Sequence, residues 1–108
     1  MQDLEHEKTE EEIAEQVAAA LRAVGLAAED QDTGGGIVCV IIERAGGGEI
    51  VWGTADENWG AVVYSADGSP ASSIETQCPS GTQDIAAIVQ AIRGPSLDAG
   101  AAVRPPAA

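Results

Sequence analysis

Few residues in this chain are of types that do covalent or acid–base chemistry, and their spacing decides what they can do together. There are two cysteines, Cys39 and Cys78, and one histidine, His6. A nucleophilic thiol needs a base or cation beside it to hold thiolate at neutral pH. His6 stands in the acidic start MQDLEHEK and is no local partner for either cysteine, so both thiols read as buried and structural. Asp56 and Glu57 are adjacent carboxylates in ADEN (residues 55–58), but neighbours on a turn point apart, so the pair reads as a solvated turn. Asp30 and Asp32 match the opening of a calcium loop. The match fails at Gly34, where a third oxygen ligand belongs, and at Ile41, where the closing Glu belongs. The glycine clusters 34–36 and 46–48 carry neither G-x-G-x-x-G nor G-K-S/T, so they are turns and not phosphate cradles. The expectation is no catalytic residue, no metal site and no cofactor.

The elements that would position any site centre on residues 37–64, IVCVIIERAGGGEIVWGTADENWGAVVY, where nearly all the β-branched and aromatic residues lie. Residues 37–42 are six apolar residues bounded by glycines, too short for a helix and suited to a strand covered on both faces. Residues 49–54 and 59–65 follow across loops of hairpin length. Pairing Arg44 with Glu49 and Thr54 with Trp59 sets a register, since side chains alternate between faces. One face then carries Ile37, Cys39, Ile41, Ile50, Trp52, Trp59, Ala61 and Val63. The other carries Val38, Val40, Ile42, Val51, Val62 and Tyr64, with Gly53 opposite Gly60. Asp67-Gly68 is a turn signal, and residues 71–77 read as a fourth, edge strand whose Ile74 sits beside Ala61. In this order Cys39 and Cys78 lie on opposite edge strands, about 14 Å apart at roughly 4.8 Å per strand, too far for a disulfide.

A helix stands at each end. Thr9 and Glu12 form a capping box, Ile13, Val17, Ala20, Leu21 and Val24 recur at helical spacing, and Gly25 fits a left-handed cap. Residues 26–36 read as a solvated linker. Ser80 and Gln83 open a second helix with a stripe of Ile85, Ile88, Val89 and Ile92, which Gly94-Pro95 closes. The expected fold is α+β: a four-stranded antiparallel meander flanked by an N-terminal and a C-terminal helix, α-β-β-β-β-α. One domain would span 9–94, between disordered tails at 1–8 and 95–108.

The net charge of −13 is concentrated at the start, where residues 1–32 hold ten acids against Lys8 and Arg22. Such a chain lacks the clustered cations that phosphate backbones or anionic lipids need, so neither nucleic acid nor a membrane is an expected partner. No apolar run is long enough to span a bilayer, and the first residues lack the pattern of a signal peptide, which points to a cytoplasmic protein. Meanders usually gather their helices on one face. The face with both tryptophans is the natural seat, which would leave Val38, Val40, Ile42, Val51, Val62 and Tyr64 as an apolar partner surface, unless one helix or the termini cross over to cover it. The functional expectation is a small acidic non-enzymatic binding domain, of the inhibitor, immunity-factor or chaperone-like kind. Its partner would be another protein or a second copy. An acidic nucleic-acid mimic that blocks a basic DNA-binding protein is the alternative, followed by a small enzyme.

Overall fold

The computed structural model describes residues 9–32, 38–54 and 57–103; the expected tail at 1–8, the glycines 34–36 and Asp56 lie outside them. The order is α1 (Glu10–Ala23), β1 (Ala28–Asp32), β2 (Val38–Glu43), β3 (Glu49–Gly53), β4 (Asn58–Tyr64), β5 (Pro70–Pro79) and α2 (Ile85–Asp98). The strands form one antiparallel sheet in the order β1-β2-β3-β4-β5. The class is α+β with an antiparallel sheet and two helices, and the strands number five where four were expected.

The additional strand is β1, AEDQD, in the stretch expected to be linker. Its composition is poor for a strand. Its backbone nevertheless pairs with β2 from Ala28 opposite Ile42 to Asp32 opposite Val38, and Ala28 is buried while Glu29 and Gln31 face water. Charged residues are tolerated on an edge strand, where they also discourage pairing with other chains.

Both helices pack on one face of this sheet. Ile13, Val17 and Leu21 of α1 and Ile88 and Ile92 of α2 share a single core with Val40, Ile42, Ile50, Trp52, Trp59, Ala61 and Val63. Thr9 caps α1 through the capping box, its side chain accepting from the Glu12 amide while its own amide donates to Glu12 Oε1. At the other end Gly25 has φ +95°, and its N–H and that of Leu26 donate to the carbonyls of Arg22 and Leu21. That is the pair of bonds that ends a helix in a left-handed glycine.

The second helix differs from expectation at both ends. Its N-cap is Asp84, whose carboxylate accepts from the amides of Ala86 and Ala87. It then runs through Gly94 and Pro95 to Asp98. A proline inside a helix costs about 3 kcal/mol. Tertiary contacts offset that cost. Ser96 is fully buried and its Oγ accepts 2.9 Å from Trp52 Nε1, while Gly100 (φ +93°) and Ala101 donate to the carbonyls of Leu97 and Ser96 as a second glycine cap. Residues beyond the cap are ordered as well: Ala101 bridges Arg44 and Val103 bridges Leu26. Thus 95–103 belong to the domain and are not tail.

Between β2 and β3 the chain turns in three residues. Arg44 N donates to Gly48 O and Gly47 N to Arg44 O, and Gly47 and Gly48 both have positive φ. A Cβ on Gly48 would collide with the carbonyl of Tyr64. The expected loop had four residues, so the pairing shifts by one: Glu43, not Arg44, lies opposite Glu49. On a sheet such a slip exchanges the two faces of the strand.

Candidate functional site

No described element covers the face of the sheet away from the helices. The register lays its side chains out in rows. Glu29, Ile41, Val51, Val62 and Ser73 are successive cross-strand partners over all five strands. Beside them runs the row Glu43, Glu49 and Tyr64. On the other side Gln31 pairs with Cys39, and Gly53 pairs with Gly60, which in turn faces Glu75. Ile41, Val51, Val62 and Tyr64 are half-buried, shielded by one another. The centre of the face is therefore apolar and its rim acidic, with Glu29, Glu43, Glu49 and Glu75 on it. The described cations lie elsewhere: Arg22 on α1 donates to Ala28 O, Arg93 is on α2, and Arg44 donates to the carbonyls of Ala99 and Tyr64.

Of the six residues expected to form this surface, Val51, Val62 and Tyr64 are on it. Val40 and Ile42 are not. The one-residue slip in β2 turns both into the core, where they are fully buried opposite Trp52 and Ile50. Val38 is placed through its backbone alone, opposite Asp32. Cys39 and Ile41 take the positions these residues were expected to fill. Sequence reasoning had no means of choosing, because all six residues of 37–42 are apolar and either face of β2 would bury well.

The two tryptophans are core, as their pairing on one face required, but only one has its N–H satisfied. Trp52 donates to Ser96, whereas Trp59 Nε1 is buried with no acceptor among the described residues. Thr76, itself buried, closes the irregular stretch where β5 bulges past Trp59: its Oγ1 donates to Trp59 O at 2.8 Å and accepts from Cys78 N. No signal in the sequence marks Ser96, since a serine after Gly-Pro is common on surfaces; alternation along β5 puts Thr76 on the same face as Ile74, but nothing local marks its bonds to Trp59 and Cys78.

Both cysteines are free and buried, on opposite faces of the sheet. Burial pushes the Cys39 thiol above its ordinary pKa, and the carboxylate of Glu49 adds to the rise. It is thus a protonated thiol, poor as a nucleophile. The sign of its linkage to folding follows. The unfolded thiol loses its proton first as pH rises, so the contribution of Cys39 to stability is full below about pH 8.5 and is lost as pH climbs toward the folded pKa. The urea midpoint of the native chain is expected to fall more steeply between pH 7 and pH 10 than that of Cys39→Ala; parallel curves would show that the thiol is not held.

Among the described residues no three carboxylates, cysteines or histidines are grouped to hold a metal ion, and no helix is long and apolar enough to cross a membrane. What fold and site define is a small acidic α+β meander with helices on one face and a second, apolar face that none of the described elements covers. No protein-family model, curated protein or solved structure matches the chain.

Proposed function

We propose that this chain is a small, acidic, non-enzymatic protein-binding domain that recognises another protein through the open face of its sheet. The observation that carries the reading is the packing of both helices against one face, which leaves Ile41, Val51, Val62 and Tyr64 together on the other. Contiguous apolar surface on a domain of this size is a partner surface more often than an accident. The chemistry-bearing side chain at its centre, Cys39, is held protonated, which favours binding over catalysis. A second copy of the chain is a poor occupant: two such faces in contact would bring their acidic rims together, and opposed like charges are unfavourable.

The test is affinity capture from host lysate at low and high salt, with the native chain and Val62→Asp side by side and the bound proteins identified. A partner held at both salt concentrations by the native chain and lost by the variant supports the reading. A basic partner lost at high salt and held equally by the variant would overturn it in favour of the acidic nucleic-acid mimic, acting through the carboxylates at the start of α1. Sedimentation velocity is expected to find a monomer at neutral pH, and a dimer broken by Val62→Asp would assign the face to self-association instead.

A further inference from the structure

Gly53 and Gly60 face each other at the last pair of the β3–β4 ladder, and neither has a positive φ that would require glycine. A Cβ placed on Gly53 meets nothing within 4 Å. A Cβ on Gly60 would press the carbonyl of Ile74 at 3.1 Å, beside the point where β5 bulges, so packing accounts for that glycine. Glycine inside a strand weakens the sheet, and at Gly53, where neither backbone conformation nor packing demands it, it marks a place where something else comes close. The pair opens a notch in the outer face, between Cys39, Val51, Val62 and Glu75, which is part of a cleft of about 860 Å³. Glu75 is the cross-strand partner of Gly60, and its side chain makes no hydrogen bond or ion pair among the described residues.

Resting on the reading of the open face as a binding surface, we infer that this notch is the anchor point for a basic side chain, lysine or arginine, projecting from the apolar centre of the partner. The floor offers backbone of the two glycines, and the walls offer the methyl groups of Val51 and Val62 to an aliphatic stem. Glu75 stands one strand away, about 4.8 Å, within reach of a charged head that keeps its contact with water. The charged groups that the described residues place on the rim are acids, so that face draws such a side chain and repels an acidic one. An apolar side chain would fill the notch but leave Glu75 beside it without a counter-charge.

The probe is a blocked tripeptide, acetyl-Val-Arg-Val-amide, titrated into the ¹⁵N-labelled full chain and followed by amide chemical shifts, with Val-Gln-Val and Val-Glu-Val peptides as comparisons. Saturable shifts at Gly53, Gly60 and Glu75 are expected with the arginine peptide and none with the glutamate peptide. Glu75→Gln should weaken the arginine peptide by about two- to fivefold, the range of a solvent-facing ion pair. Gly53→Val, whose side chain enters open space and suits a strand, should keep a dispersed spectrum and abolish the shifts. Equal responses to all three peptides, no response to the arginine peptide, or undiminished binding by Gly53→Val would each overturn the inference. The two readings fail separately. If the peptide results are negative while a captured partner is still lost by Val62→Asp, the notch fails and the open face stands. If that partner survives Val62→Asp, the open face itself has failed.

Discussion

A chain shortened to end at Gly94 is expected not to fold. The missing segment begins in the middle of α2 and supplies Ser96, which is fully buried and accepts the N–H of Trp52, the largest fully buried side chain. Without Ser96 that N–H is left in the core with no acceptor, a cost of about 1–3 kcal/mol. The truncation also removes the glycine cap at Gly100, the buried Ala101, and the carbonyl of Ala99 that receives Arg44 Nε at 2.9 Å. It removes two backbone bonds to the end of β2 and its turn, Ala102 N to Glu43 O and Ala45 N to Gly100 O, both 2.8 Å. Together these amount to several kcal/mol, against a total of about 5–15 kcal/mol for a domain of ordinary stability. Far-ultraviolet circular dichroism and a urea titration check it: the shortened chain should lack a cooperative transition. Ser96→Ala alone should fold, with a loss of about 1–3 kcal/mol. A shortened chain with the native midpoint would show that residues 95–103 are an accessory and not part of the core.

The same segment shows where the sequence could be read and where it could not. The start and end of α1, the hairpin from β3 to β4, Ile74 beside Ala61, and the two tryptophans on one face all follow from local patterns, and all are found. Each rests on interactions within a few residues or on alternation that is clear in the sequence. Three features do not follow in this way, two because they rest on distant contacts and one because its local pattern is ambiguous. Strand β1 is acidic and weak by propensity, and only its pairing with β2 makes it a strand. The last turn of α2 crosses Gly94-Pro95 because Trp52, 44 residues earlier, needs an acceptor there. The register of β2 depends on whether glycines 46–48 turn in three residues or four, and a run of apolar residues gives no alternation to decide it. For the open face this last ambiguity was the costly one, since it exchanged Val40 and Ile42 for Cys39 and Ile41.

That exchange makes Val40→Asp and Val62→Asp the most discriminating pair of substitutions in the molecule. Val40 lies opposite Trp52 on the helix side, with no exposed surface, and a carboxylate there has neither water nor a cation to meet it. Burying an unpaired charge costs several kcal/mol even after the group takes up a proton, so Val40→Asp is expected to unfold the domain or leave it barely folded at neutral pH. Val62 is half-buried on the opposite side, between Val51 and Ser73, and there the new carboxylate reaches solvent. The loss expected is about 1 kcal/mol, from one cross-strand contact and a weak repulsion by the acidic rim. Urea midpoints of the two variants would therefore differ widely, though the changes are chemically identical and the sites lie two strands apart. In the alternative register, with Arg44 opposite Glu49, Val40 would share the open face with Val62 and both variants would fold. Equal stability of the pair would thus place β2 the other way round, return Val40 and Ile42 to the partner surface, and move Cys39 into the core.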